Sequence, residues 1–384
     1  MPSKSVGAVI FHSPATGSEA VRWVDAARMA SARDLIVGLR PHVGLTLVVG
    51  QRPGIDPLAE AADVLVETDS GQPFHFGQAL QQLIQEHQLS GLIYFGSGSG
   101  GLLTSDQLRT FAQFAERTTP SALFNNFYSC DFGAFAKTHS LLGLDLPAVD
   151  NGLGFCLSDA GIDCYQLPRT LATQFDIDTP TDLLLAKRAK RGGENLRRAL
   201  EQVAFDHPAL DTILSLLTDR TSMLYLIGRV NPATWRFFEQ EVACRTSGMI
   251  EGRGMKATAS TRARFLATTL REHGADQLFS ILESCADGAL IDTRPLLADA
   301  DGTLPSQDVR YNSDMFRLDE VHDPRWHELT ARAKASPIPI ILGGHSLVSG
   351  GLYLLADACW KGRDLPRRLH PEPFEREELP YESD

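Results

Sequence analysis

The 384-residue chain is short of positive charge. Its 36 lysines and arginines stand against 48 aspartates and glutamates, a net charge of −12. A surface of that sign repels nucleic-acid backbones and anionic membranes, which argues against both as partners. Small anions remain, because one local pocket can hold them. Aromatics make up only 8% of the residues and do not interleave with bases, so a stacking platform for single strands is not expected either. The six cysteines form no C-x-x-C, and their spacing does not suit zinc. With no signal-peptide pattern at the start, they are expected to be reduced, mostly buried thiols of a cytoplasmic protein. No apolar run approaches the roughly 18–20 residues of a membrane span.

What is present is strand-helix alternation, over a length suited to two or three domains. "VGAVIF" (6–11), "LTLVVG" (45–50), "ADVLVETD" (62–69), "GLIYFG" (91–96) and "SALFNNFY" (121–128) read as strands. The segments between the first four and before the fifth carry apolar residues at helical spacing, and Thr104 is placed to cap one of them. The pattern predicts an α/β fold: a mainly parallel sheet with helices on both faces. The basic stretch "KRAKRGGE" (187–194) marks a boundary and reads as a solvated helix end. The expected organisation is a first domain over 1–190, a linker or helix over 191–204, a second smaller α/β domain over 205–362, and an extended tail over 363–384. In the second half "SMLYLIGRV", "GALIDTR" and "SPIPIILGG" read as strands, and Asn231-Pro232 starts a helix.

The most specific string is "FDIDTPTDL" (175–183). Asp176 and Asp178 lie two apart on an extended segment, so their side chains share a face. Such a pair at a strand end is a hard-oxygen site for Mg²⁺ or Mn²⁺. The same string also reads as a helix start, with Thr179 capping, Pro180 in the first turn, and Asp178 and Asp182 serving the cap.

"DIDTPTDL" resembles the D-x-D-T-P-x-D-L stretch that closes the domain of MobA-like nucleotidyltransferases and related GT-A-fold enzymes. The order of elements over 5–190 is similar to theirs, so the resemblance covers about half the chain. It implies a GT-A-like sheet, an Mg²⁺ or Mn²⁺ held by Asp176 and Asp178, and transfer of a nucleoside monophosphate from a triphosphate to a small phosphorylated acceptor. The departures are specific. Where the family has a metal-binding Asp after the fourth strand, this chain has "GSGSGG", and the position falls on Ser97, Gly98 or Ser99. After strand one, where the family has a Gly-rich basic loop, this chain has Gly17 and Arg22 but no lysine.

A loop of Gly96, Ser97, Gly98, Ser99 and Gly100 can cradle phosphate through backbone N–H groups, or be a bare tight turn. "FNNFYSCDFGAFAK" lies where the family meets its acceptor, so Asn125, Asn126 and Asp131 are candidate acceptor contacts; they also suit a capped turn. Asp150-Asn151 reads as a helix cap and His75 as structural. In the second half three strand ends carry polar groups: Arg229 at one, Asp292 and Arg294 at another, and Gly343, Gly344, His345 and Ser346 at a third. Ligands in open α/β sheets sit outside such ends. With Arg310 from a nearby loop, and Arg253 and Lys256 ahead of a helix, they outline an anion pocket; each strand-end arginine also suits a surface ion pair, and the Gly-Gly-His-Ser stretch a packed turn. "GGHSLV" lacks the closing glycine of a nucleophile elbow, which argues against serine hydrolysis. His322 and His327 are not spaced for a metal, and Trp326 reads as core.

Three functions are therefore carried forward. The first is an Mg-dependent nucleotidyltransferase. The second is a GT-A glycosyltransferase using a nucleotide-sugar. The third is a non-catalytic nucleotide- or phosphate-binding protein, with a degenerate first domain and its working site in the second. In each the partner is a nucleotide or a phosphorylated small molecule.

Overall fold

The computed structural model describes residues 6–69, 71–252, 264–298 and 303–362. The tail beyond 362, and Arg253 and Lys256, lie outside them.

Two sheets organise the chain. The first joins β1 (Val6–His12), β2 (Leu45–Gly50), β3 (Val64–Glu67), β4 (Gly91–Gly96), β5 (Ser121–Phe124), β6 (Phe132–Ala136) and β7 (Asp163–Gln166). Its order is β3-β2-β1-β4-β6-β5-β7, and only β6 runs antiparallel to its neighbours. This is the GT-A-like, mainly parallel arrangement. The segment read as one strand over 121–128 stops at Phe124, because Asn125 turns its amide onto Asp131 and accepts from the Phe132 amide. The chain then reverses into β6.

The helices of eight residues or more are α1 (Glu19–Leu39), α2 (Phe76–Glu86), α3 (Ser105–Ala115), α4 (Pro180–Ala189), α5 (Glu194–Glu201), α6 (Pro232–Glu241), α7 (Phe265–Cys285), α8 (Gln307–Asp314), α9 (Pro324–Lys334) and α10 (Gly350–Cys359). Ala32, Leu35, Ile36 and Leu39 of α1, with Leu108 and Phe111 of α3, cover one face of the first sheet. Phe76, Leu80, Leu83 and Ile84 of α2 cover the other. Thr104 caps α3 in a reciprocal box with Gln107, and the His75 ring accepts from the Gln78 amide at the start of α2.

The second sheet joins β8 (Met223–Gly228), β9 (Arg245–Ile250), β10 (Gly288–Asp292) and β11 (Ile340–Gly343), all parallel, in the order β11-β10-β8-β9. Trp326 of α9 is fully buried against one face. The other face shares a single apolar core with the first domain. Val21 and Val24 of α1, Leu183–Ala186 of α4, Leu196 of α5, Leu226 of β8, Ile341 of β11 and Leu352 of α10 all belong to it. Burial of that kind fixes the two sheets against each other.

Candidate functional site

Both sheets direct the carboxyl ends of strands toward the segment 175–182. Thr179 has an extended backbone, Pro180 opens α4, and Asp182 completes a capping box. Asp182 Oδ2 accepts from the amides of Asp178 (2.9 Å) and Thr179 (2.7 Å) and from the Thr179 hydroxyl (3.0 Å). Burial, with Asp178 beside it, pushes the Asp182 carboxyl up to about 8 against these donors. Asp182 is thus the capping acid.

Asp176 and Asp178 have different surroundings. An isolated antiparallel bridge ties Ser99 to Asp176, and the Ile177 amide donates to the Gly98 carbonyl at 2.9 Å. A Cβ on Gly98 would lie 2.6 Å from Asp176 Oδ1, so glycine is what lets the turn close onto this carboxyl. Burial raises Asp176 well above the usual carboxylate range, and the charges of Asp178 and Asp131 add to the rise. Asp178 instead pairs with Arg28 of α1. Arg28 Nη2 lies 3.1 Å from Asp178 Oδ1, and its Nε donates to the Ile177 carbonyl at 2.6 Å. Burial opposes the Arg28 charge, but Asp178, Tyr311 and Asp176 outweigh it and raise the group.

This donor set does not fit a divalent metal. Asp178 is already engaged by Arg28, and the glycine-serine turn closes onto Asp176. Among the described residues no group of three or more histidine, cysteine, aspartate or glutamate side chains gathers as metal ligands.

Within the glycine-serine turn both hydroxyls point inward. Ser97 Oγ lies 2.9 Å from His12 Nδ1. Ser99 Oγ donates to the Gly96 and Asp131 carbonyls, at 3.0 and 3.2 Å. His12 Nε2 lies 3.4 Å from Asp25 of α1. Burial would raise Asp25, but its contact with His12 and the Ala15 amide outweigh that and lower it. The turn over 13–18 is held in the same way. Asp25 accepts from the Ala15 amide at 3.0 Å, and Asp308 of α8 accepts from the Ser18 amide at 2.7 Å. Two N–H groups that could meet an anion there already bind the chain's own carboxylates, and Arg22 donates to the Gly17 carbonyl.

Of the acceptor candidates, Asn125 Nδ2 donates to Asp131 Oδ2 at 2.8 Å. Asn126 is buried; its oxygen accepts from the Tyr128 amide, while its Nδ2 has no acceptor. Burial and Asp131 raise Asp150 to about 6. Gly152, not Asp150 or Asn151, occupies the cap position of the helix Leu153–Asp159.

The second sheet brings its candidates to the same seam. Ser346 Oγ accepts from the Asp176 amide at 3.2 Å, and Tyr311 donates to the Asp178 carbonyl at 2.7 Å. Gly344 packs so closely on Thr179 that a Cβ would lie 2.9 Å from its methyl. Gly343 ends β11, and the half-buried His345 opens the turn after it. Two of the three arginines are engaged internally. Arg229 pairs with buried Asp292 through two bonds (2.6 and 2.9 Å), and Arg294 with buried Asp314 (2.6 and 2.8 Å). Arg294 also donates to the Gly343 carbonyl. Arg310 has no carboxylate partner among the described residues; its Nε reaches only the Ser306 carbonyl, at 3.4 Å. Burial and the Arg294 charge lower it.

An open space lies elsewhere along the first sheet. A cavity of about 210 Å³ sits at the carboxyl ends of β1, β2 and β3, lined by Phe11, His12, Ser13, Gly50, Gln51, Thr68 and Phe74 among others. A side chain at Gly50 would collide with the His12 carbonyl, so glycine keeps its floor low. Phe74 is half exposed at the site and meets Phe11 edge-on at 5.8 Å. Sequence reasoning missed this cavity, along with Arg28, Asp308 and Tyr311. Arg28 lies in the segment where the resemblance calls for a basic loop, but at an ordinary helical position.

The chain matches no known protein family and no curated protein. Among solved structures it is similar to a cytidylyltransferase from Leptospira borgpetersenii, at 13% identity and a TM-score of 0.36, over 53% of this chain and 99% of that one. It is also similar to a nucleotidyl transferase from Methanothermobacter thermautotroptrophicus, at 14% identity and a TM-score of 0.37, over 47% of this chain and 95% of that one. At these values the likenesses carry no functional weight, and the chemistry has to be argued from the site.

Proposed function

We propose that this protein binds a nucleotide at the strand-end cavity of its first sheet without a divalent cation. It is then a binding protein on a nucleotidyltransferase-like scaffold. The observation that carries this reading is Arg28, whose guanidinium pairs with one acid of the Asp176–Asp178 set. A fixed organic cation does there what a bound metal would do for the acids, so nothing recruits Mg²⁺ to the phosphates.

The cavity supplies the recognition. A half-exposed aromatic ring at Phe74 offers a face for a base, and Gln51, Thr68 and Ser13 offer donors and acceptors for its edge. Mg-dependent transfer of a nucleoside monophosphate would require Arg28 to leave Asp178. Its remaining support is the closeness of the Asp176 carboxyl to the glycine-serine turn.

The test is thermal shift with GTP, CTP, UDP-glucose and inorganic phosphate, each with and without Mg²⁺. Stabilisation by a nucleotide, equal in both conditions, is the expected result. Stabilisation only when Mg²⁺ is present would favour transfer, and no response to any nucleotide would overturn the proposal.

A further inference from the structure

A second cavity, of about 370 Å³, lies where the two halves meet. It is lined by Arg169, Ala233, Arg236, Phe237, Gln240 and Tyr353, none of which borders the strand-end cavity. Arg169 comes from the segment after β7, Ala233 to Gln240 from α6, and Tyr353 from α10. One lobe thus supplies one cation and the other lobe the second.

We infer that this cavity is a binding site for a small organic oxyanion, a phosphate or carboxylate attached to a flat apolar group. Both charged lining residues are arginines, and no carboxylate lines the space. Arg169 Nη1 is buried with no hydrogen-bond partner. A buried guanidinium nitrogen without an acceptor is a rare arrangement, and it wants an anion. Arg236 makes no hydrogen bond or ion pair among the described residues, on a chain whose net charge is −12. Acids were abundant enough to neutralise both arginines, yet neither was paired.

The rest of the lining suits the ligand's other end. The rings of Phe237 and Tyr353 stack at 4.1 Å and 20°, forming an apolar wall beside the cations. Gln240 adds one donor and one acceptor. The Tyr353 hydroxyl reaches the Arg169 carbonyl at 3.4 Å, which docks the backbone of Arg169 beside this wall. Guanidinium groups take phosphate and carboxylate through paired N–H bonds, and the volume falls in the range of small-ligand sites.

The experiment is calorimetric titration of the full chain with phenyl phosphate and, separately, with phenylacetate. The two arms tell which oxyanion is preferred. At least one probe is expected to bind, with R236Q and R169Q each weakening it tenfold or more. Arg236 is exposed on its helix, so R236Q keeps the fold even if R169Q does not. R109Q, on the exposed face of α3, is expected to bind as the wild type does. No heat from either probe at millimolar concentration, or unchanged binding in R236Q, would overturn the inference.

Discussion

Replacing Arg28 with methionine tests the metal-free reading directly. Methionine keeps much of the apolar stem and removes the charge. Two interactions are lost: the bond from Nε to the Ile177 carbonyl at 2.6 Å and the pair with Asp178 at 3.1 Å. A hydrogen bond from a charged donor contributes about 1.5–3 kcal/mol. The Asp178 side chain is 42% exposed, so solvent screening limits the ion pair to about 1 kcal/mol or less. The sum is roughly 2–4 kcal/mol. At about 2–4 °C of melting temperature per kcal/mol, the loss is on the order of 4–16 °C. The second arm uses Mn²⁺, followed by melting temperature and by its paramagnetic resonance signal. Wild type should not respond, because Arg28 already pairs with Asp178. R28M should bind Mn²⁺ and recover part of its stability. If wild type takes up Mn²⁺ as well as R28M does, Arg28 is not standing in for a metal and the reasoning fails.

Four further outcomes follow from the geometry. F74A removes the ring from the strand-end cavity and should weaken nucleotide binding by about 1–3 kcal/mol, roughly 5- to 150-fold in Kd by titration. D182N leaves an oxygen to accept the three bonds made to Asp182 and should fold near wild-type stability, whereas D182A should lose about 2 kcal/mol or more in urea unfolding. Burial lowers His207 to about 4, below its unfolded value near 6.5, so its stabilising share is complete above about 6.5 and is lost as pH falls toward 4. H207N should flatten that part of the urea-midpoint profile between pH 7 and pH 4. G350A places a Cβ into the Phe175 backbone and should cost at least about 1–3 kcal/mol, while G143A, with open space around it, should be close to neutral.

Much of the scaffold was legible because β1, β2 and β4 are continuous apolar runs and the helices between them keep their spacing. The strand β6 was not. "FGAFA" is buried throughout, so it shows no alternation, and its small residues give little strand signal. The helix start at Thr179-Pro180 was readable for the same local reasons that form it. What no local pattern could carry was the partner of each charge. Asp178 finds Arg28 across 150 residues, and the Ser18 amide finds Asp308 across 290. The candidate arginines of the second sheet were visible as strand-end residues, but their bonds to Asp292 and Asp314 depend on how loops meet in space. A strand-end arginine reads alike whether it waits for a ligand or holds an acid.

The way the second lobe docks decides which polar groups of the first sheet are engaged. Helix α8 sends Asp308 to the Ser18 amide and Tyr311 to the Asp178 carbonyl beside the acid pair. The turn after β11 places Ser346 against the Asp176 amide. Each contact uses a polar group near the strand ends, and each lies at the edge of a shared apolar core. A buried polar group costs stability unless it is bonded, so an interface laid over these groups must supply partners for them. Once Asp308 supplies the partner of the Ser18 amide, an anion at that amide would have to displace it, whereas the contacts at Asp176 and Asp178 engage their main chain and leave the carboxyls untouched. The strand-end cavity near Phe74 and the arginine cavity at Arg169 are lined by none of these residues. Docking of the second lobe therefore occupies the Ser18 and Asp176 amides and the Asp178 carbonyl, and none of these contacts reaches either cavity.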